Sequence, residues 1–228
     1  ENTREAIFDA IKAKETYGTS GTFIRLRFFG GWDYPVALIE DKDFVKKAYA
    51  GGVPMGGDLP RRVAKDLAKA PKFAVWALKD PNSGNLDRIQ IVKGWFDRGY
   101  AFEKVYDVVW ADAKNRKVDA YGKVPPVGNT VNIKKATYTN NIGDSQLAAV
   151  WTDPDFDPTH HAVYYVRVLE IPTPRWTTYD AAKLGMDPPK DVAATIQERA
   201  WSSPIWYTPP VELIKRPAHY YGLQPFLP

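Results

Sequence analysis

Short segments in which apolar and polar residues alternate, separated by turn sequences, are the feature that most constrains the fold of this chain. In the clearest one, Ile24, Leu26 and Phe28 alternate with two arginines. A period of two residues predicts a half-buried strand, so Arg25 and Arg27 are expected to face solvent or a partner. Further strand candidates span residues 72–78, 88–96, 103–111, 130–139, 146–152 and 162–171. Strands joined by turns predict a mainly β (α+β) fold, an antiparallel β-sandwich or a curled sheet.

The composition agrees with a β-rich globular protein and excludes other classes. Aromatic residues make up 14% of the chain, and 19 prolines and 16 glycines favour strands joined by ordered loops. With 44% hydrophobic residues the chain can bury a core, and without cysteine it has neither disulfides nor thiolate metal sites. The net charge of +4 is small and dispersed, so we expect no nucleic-acid partner. No apolar stretch approaches the ~20 residues of a membrane span.

Three regions are predicted along the chain. Residues 1–21 begin with an amphipathic helix that is expected to bury one apolar face, and residues 22–171 form the β-rich domain. Residues 172–228 hold ten of the 19 prolines, and proline lacks the backbone donor that the middle of a sheet requires. We therefore expect a long tail rich in proline and aromatic residues that wraps over the same domain, held by rings such as that of Trp176.

A glycine-rich loop lies between two short segments. Residues 41–50 predict a helix, and residues 61–70 are compatible with a short helix or an exposed loop. The loop between them, residues 51–60, is either structural or the rim of a site, because paired glycines let backbone amides approach a ligand closely. Its central residues are Met55, Gly56, Gly57 and Asp58.

The acidic and histidine residues form no complete metal site. Asp153, Asp155 and Asp157 alternate as carboxylates do in calcium loops, but the glycine and the glutamate that complete such a loop are missing. We favour a turn in which the aspartates bond their own backbone, and a calcium-binding structural domain stays a weaker alternative. His160 and His161 are adjacent and point to opposite faces of a strand, so we interpret them as a surface pair.

Several longer runs carry a family resemblance. They span residues 1–10, 25–32, 52–60, 88–95, 164–176 and 197–209. Together they resemble the C-terminal portion of a bacterial family that is catalogued only as a domain of unknown function and is related to the PHP (polymerase and histidinol phosphatase) metallohydrolases. The resemblance implies that residues 1–21 contain the closing helix of a PHP-like barrel located upstream.

The resemblance also implies a cofactor, a cellular location and partners. Metal ligands of the family lie in an upstream segment, so we expect a divalent metal of unknown identity in the intact protein and none in this chain. Many members carry an export signal, which implies a periplasmic or secreted protein. The partners that this implies are the upstream barrel portion of the same protein and a small-molecule, anionic substrate.

Two function classes follow from these observations. The first is the β-rich C-terminal portion of a PHP-like metal-dependent hydrolase, with phosphoesterase as the candidate activity and no activity expected in this chain alone. Arg25, Arg27 and Arg175 are the candidate cations for an anionic substrate. The alternative is a non-catalytic carbohydrate-type β-sandwich module, in which tryptophans of the predicted strands stack on sugars instead of packing in the core.

Overall fold

The structure is a computed structural model that describes residues 1–61, 69–210 and 213. Its strands are β1 Tyr17–Thr19, β2 Arg25–Gly31, β3 Gly52–Pro54, β4 Lys72–Leu78, β5 Leu86–Asp97, β6 Tyr100–Trp110, β7 Gln146–Thr152, β8 His161–Glu170, β9 Thr173–Pro174, β10 Thr195–Ile196, β11 Arg199–Ser202 and β12 Ile205–Tyr207. Its helices are α1 Arg4–Lys12, α2 Phe44–Gly51 and α3 Trp176–Leu184, with a 3-10 helix at Val36–Glu40. Most of the predicted segment 61–70 lies outside the described residues.

The strands form two main antiparallel sheets. The large sheet has the order β1-β11-β8-β5-β6, and β12 also pairs with β8. The small sheet has the order β3-β2-β4-β7, and β9 pairs with β10 in a separate ribbon. These sheets confirm the predicted mainly β, antiparallel architecture.

The hydrophobic core lies between the two sheets. From the small sheet it takes the alternate residues Ile24, Leu26, Phe28, Phe73, Val75 and Ala77, and from the large sheet Ile89, Ile91, Tyr164, Val166, Val168 and Ile205. The ring of Phe73 lies 4.4 Å from that of Tyr164, so these aromatic side chains join the sheets directly. Alternation along each strand therefore produces the sandwich, because every second side chain enters one shared core.

A second apolar layer covers only part of the outer face of the small sheet. Phe29 of β2 packs there against Phe44 of α2 with ring centroids 5.8 Å apart, and Leu38 of the 3-10 helix joins the same cluster. The hydroxyl of Tyr34 donates to the carbonyl of Ala48 at 2.6 Å, which ties the layer together. The helices thus cover the Phe29 end of β2 and leave the Arg25 end of the strand exposed.

The first helix differs from the sequence expectation. Thr3 caps α1, since its side chain accepts a hydrogen bond from the backbone of Ala6. The described chain does not bury the predicted apolar face, because α1 contains no buried residue and Ile7 is 50% exposed. β1 follows it and pairs with β11, so the large sheet continues across the predicted boundary at residue 21. Among the described residues, no helix has the length and apolar character needed to cross a membrane.

The described part of the predicted tail, residues 172–210 and 213, enters the large sheet and does not only wrap over it, whereas residues 211–212 and 214–228 lie outside the described residues. β11 lies between β1 and β8, and β12 pairs with β8 further along. These strands occupy proline-free runs with Pro204 between them, so the missing donor of proline falls outside the ladder. Trp176 was expected to hold the tail, but its side chain is 69% exposed.

Residues 130–139 do not form the predicted strand. They contain one isolated bridge between Asn132 and Thr137, around a turn in which Ala136 has a φ of 48°. Side chains compete with the ladder here, because the amide oxygen of Asn132 accepts from the backbone of Lys135. Local side-chain bonding of this kind favours a turn over a strand.

Candidate functional site

An open groove of about 890 Å³ lies on the uncovered part of the small sheet, beside the start of α2. Its lining residues are Tyr17, Arg25, Leu26, Arg27, Lys42, Asp43, Phe44, Val45, Lys46 and Trp76. Four of these side chains are cationic and one is acidic. The groove is therefore a cationic surface in a chain whose net charge is only +4.

Strand geometry places the two arginines in the groove. Arg25 and Arg27 are exposed, while the alternate residues Ile24 and Leu26 are buried in the sandwich core, as the sequence predicted. Arg27 lies opposite Trp76 in the β2–β4 register, and the half-buried Trp76 contributes its ring to the groove. Side chains two residues apart on a strand are separated by about 6.6 Å, so both guanidinium groups reach the same ligand volume.

The start of α2 supplies the other two cations. Phe44 is buried against Phe29, which fixes the helix on the sheet and leaves Lys42 and Lys46 on the groove side. Asp41 orders the turn before the helix by accepting from the backbone of Asp43 at 2.8 Å and by pairing with Lys47. Lys47 and this backbone donor lower the pKa of Asp41, which therefore keeps its charge.

The four groove cations have no partner among the described residues. Among the described residues, no hydrogen bond or ion pair involves the side chain of Arg25, Arg27, Lys42 or Lys46. Guanidinium groups bind carboxylate, sulfate and phosphate through paired hydrogen bonds, and ammonium groups bind them as point charges. Free cations around one groove are the arrangement that an anionic ligand requires.

Two other arginines, Arg88 and Arg116, are paired within the fold and have structural roles. The guanidinium of Arg116 contacts Asp87 at 2.6 Å and the carbonyl of Ala111 at 2.9 Å. Arg88 bonds Asp87 and Asp107, each at 3.2 Å, and the carbonyl of Val124 at 2.8 Å. Both are buried, so their donors are used within the protein.

Arg175, the third predicted cation, lies away from the groove lining. It directly precedes α3, and its Nε donates to the carbonyl of Ala193 at 3.0 Å. Its backbone N–H donates to the carbonyl of Ala194 at 2.9 Å. The structure therefore brings Arg25 and Arg27 together and leaves Arg175 in contacts that hold the segment after α3.

The glycine-rich loop also lies outside the groove lining. Met55 is buried, and its backbone N–H donates to the carbonyl of Phe28. Gly56 has a φ of 90°, and a side chain there would meet the carbonyl oxygen of Lys14 at 2.4 Å. Gly57 accepts from the backbone of Trp206, and Asp58 forms a parallel bridge with the same residue. The close backbone approach at this loop is thus to the protein's own chain.

The aspartate run forms the expected turn. Asp153 accepts from the backbone of Asp155, and Asp157 accepts from that of Thr159, which confirms backbone bonding by these side chains. Asp153 is also buried and contacts the ammonium of Lys93 at 2.6 Å and the hydroxyl of Tyr164 at 2.7 Å. The run therefore closes one end of the sandwich with a buried ion pair.

No metal centre is formed by these or by other side chains in residues 1–61, 69–210 and 213. Within those ranges, no three histidine or carboxylate residues are grouped so that they could hold an ion. His160 lies 3.4 Å from Asp97, whereas its neighbour His161 is exposed. The described residues consequently do not fit the divalent metal that the family resemblance implies for the intact protein.

Sequence reasoning missed Lys42, Lys46 and Tyr17, and it considered Trp76 only as one of the strand tryptophans that stack on sugars or pack in the core. The lysines carry one usable signal, because they lie on either side of Phe44, the first buried residue of α2. Trp76 becomes a groove residue only through the β2–β4 register, which one strand alone does not specify.

A second, apolar depression of about 310 Å³ lies on the large sheet. Gly94 forms part of its lining, with Phe96 and Trp206 beside it, exposed by 53% and 44%. Trp95, which also borders the depression, and Trp151 are half-buried and pack against the core. Phe96 and Trp206 are thus exposed rings that the depression offers to a ligand.

The described residues define an antiparallel β-sandwich that carries an open, unpaired cationic groove. The sequence model of the family described as a protein of unknown function, DUF3604, matches residues 1–209, so the chain belongs to that family. No curated protein and no solved structure matches the chain.

Proposed function

We propose that this chain is the β-rich C-terminal portion of a PHP-like metal-dependent hydrolase and that its groove binds an anionic substrate. The observation that carries the proposal is the convergence of Arg25, Arg27, Lys42 and Lys46, with free charges, on one groove. Binding and orienting the substrate is the part of the reaction that these side chains supply. The metal ligands would come from the upstream portion, and no catalytic step is assigned to the described residues.

The first helix supports contact with a further part of the protein. Ile7, Phe8 and Ile11 are 50%, 62% and 62% exposed, and they lie at helical spacing on one side of α1. An apolar stripe of this kind is stabilised when another surface covers it. The proposed upstream barrel would bury these side chains.

Calorimetric titration of inorganic phosphate into the chain tests the groove. We expect saturable binding that Arg25→Gln weakens about tenfold, because hydrogen bonds to charged groups contribute about 1.5–3 kcal/mol. Arg4→Gln is the matched control, since Arg4 is exposed on α1 and outside the groove lining. Equal weakening by both variants would show a diffuse charge effect and would overturn the proposal.

Hydrolysis of a generic phosphoester with manganese or zinc tests the catalytic part. The protein from the complete open reading frame is expected to hydrolyse the ester, and Arg27→Gln is expected to raise its KM. The 228-residue chain alone is expected to be inactive under the same conditions. Activity of the isolated chain would contradict the assignment of the metal site to another portion.

A carbohydrate-type binding module is the second candidate function, and the depression at Gly94 is the observation that favours it. Phe96 and Trp206 present exposed rings there, and aromatic faces pack on apolar surfaces of ligands. Titration with neutral oligosaccharides tests it, with Trp206→Ser as the variant that should abolish binding. Unchanged binding by Trp206→Ser would remove this candidate.

A further inference from the structure

The groove cations come in two pairs, each from a different structural element. Arg25 and Arg27 lie on β2, and Lys42 and Lys46 lie at the start of α2. We propose that these clusters are two anion subsites and that the ligand is a small molecule carrying at least two phosphate, sulfate or carboxylate groups. This inference rests on the proposed function, because it names the ligand class of the same groove.

The size of the groove supports a ligand larger than one anionic group. Small-molecule sites have volumes of about 300–1,000 Å³. The groove, at about 890 Å³, falls near the upper end of that range. A single phosphate bound at one cluster would leave the other cluster without a partner, whereas a molecule with two anionic groups satisfies both.

The two clusters differ in what they recognise. The guanidinium groups of Arg25 and Arg27 form planar, paired hydrogen bonds, which select the geometry of a carboxylate, sulfate or phosphate group. The ammonium groups of Lys42 and Lys46 act as mobile point charges and impose less geometry. The β2 cluster is therefore the more selective subsite, and the α2 cluster adds affinity for a second anionic group.

The groove lining also offers an aromatic surface for the body of such a ligand. Trp76 contributes a half-buried ring that lies opposite Arg27 in the strand register. An aromatic face packs against an uncharged scaffold and needs no hydrogen bond from it. Asp43, the acidic residue of the lining, adjoins the lysine cluster and limits its net charge.

Paired titrations with glucose bisphosphate and glucose monophosphate test the inference. The two probes share a ring and differ by one phosphate group. We expect the bisphosphate to bind at least about tenfold more tightly, because the second group binds from a high effective concentration. Lys46→Gln is expected to weaken the bisphosphate about fivefold and to change the monophosphate less than about twofold.

Control variants and outcomes separate this inference from the proposed function. Lys190→Gln is the matched lysine control, because Lys190 is exposed and outside the groove lining. If Lys46→Gln weakens both probes equally, or both bind equally well, the groove is one subsite and the inference fails while the proposed function stands. If neither probe nor inorganic phosphate binds, the proposed function fails as well.

A short single-stranded oligonucleotide serves as the last probe. A linear polymer presents many phosphates, whereas the groove holds a small molecule, so we expect weaker binding than for glucose bisphosphate. Tighter binding of the oligonucleotide, with a steep salt dependence, would identify a nucleic-acid surface and overturn the inference.

Discussion

Arg88 in the large sheet and Arg27 in the small sheet occupy equivalent positions, but among the described residues only the guanidinium of Arg88 has hydrogen-bond partners. Each lies on a strand beside residues that enter the sandwich core, and each points away from that core. Arg88 is 9% exposed and bonds Asp87 and Asp107, whereas Arg27 is exposed and free of such partners among the described residues. Alternation decides which face an arginine occupies, and the segment that covers that face decides whether its guanidinium is paired within the fold or left exposed.

The largest expected effect on stability comes from disrupting the buried cluster of Asp87, Arg88 and Arg116. Asp87 accepts from Arg88 at 3.2 Å, from Arg116 at 2.6 Å and from Gln197 at 3.0 Å. We expect Asp87→Ala to lower the free energy of unfolding by about 3–5 kcal/mol, because it leaves the buried guanidinium of Arg116 without its carboxylate partner. Urea unfolding followed by tryptophan fluorescence measures this change.

The control for that variant is Asp9→Ala. Asp9 is exposed on α1, so its substitution should change the free energy of unfolding by less than about 0.5 kcal/mol. If Asp87→Ala lowers the free energy of unfolding no more than Asp9→Ala does, the buried cluster does not stabilise the fold. Arg88 and Arg27 would then not differ in their contribution to stability.

A substitution in the groove should have the opposite effect, with a loss of phosphate affinity and little change in the free energy of unfolding. We expect Arg27→Met to change the free energy of unfolding by less than about 0.5 kcal/mol, because an exposed, unpaired side chain contributes little. Phosphate affinity of the same variant should fall about tenfold, which corresponds to about 1.4 kcal/mol. Urea unfolding and calorimetry on the same sample check both halves. A large loss of stability with intact affinity would assign Arg27 to the fold.

A smaller effect on stability is expected at Glu170, a buried carboxyl group that has no cation partner in the part of the chain that the structure describes. Burial raises its pKa, and the nearby Glu198 and Asp80 act in the same direction, while a hydrogen bond from Ser83 opposes them. A raised folded-state pKa means that the stability contribution is full at low pH and is lost as the pH rises through that pKa. Glu170→Gln mimics the protonated form, so we expect it to stabilise the protein increasingly as the pH rises above about 4, the usual range of an unfolded glutamate.

Thermal unfolding over that pH range measures the difference between Glu170→Gln and the parent chain. Because Oε1 of Glu170 is buried without a partner among the described residues, the amide replaces a group that already lacks one bond. A difference in melting temperature that does not grow with pH would show that the carboxyl group titrates normally.

The smallest expected effect concerns Asp43, the acidic residue of the groove lining. Its side chain makes no cap hydrogen bond to α2. Removing the charge with Asp43→Asn should tighten phosphate binding about two- to threefold, since repulsion between exposed charges is largely screened. Titrations at low and high salt check this, and the gain should shrink at high salt. A gain that is independent of salt would point to a contact and not to charge.

The sequence predicted the strands more accurately than the strand register and the position of the helices. The alternation of Ile24, Leu26 and Phe28 was enough to predict that Arg25 and Arg27 share an exposed face. The groove itself depends on the β2–β4 register and on where α2 lies, and these are set by contacts between residues far apart in the chain. Local periodicity carries no information about such contacts.

Two other predictions failed or fell short for related reasons. The apolar spacing of α1 predicted a buried face, but periodicity shows only that a face is apolar and not that the described chain covers it. The prolines of the tail obscured the short strands β11 and β12, because pairing needs only the few proline-free residues between them.

Amide chemical shifts, followed residue by residue during a phosphate titration, test most directly whether the groove is the anion-binding site. We expect the shifts on titration to be concentrated in β2, at the start of α2 and at Trp76, and to disappear in the Arg25→Gln, Arg27→Gln double variant. Shifts concentrated instead at Arg175, at Met55–Asp58 or around Arg88, or shifts that persist in the double variant, would show that the groove is not the anion site.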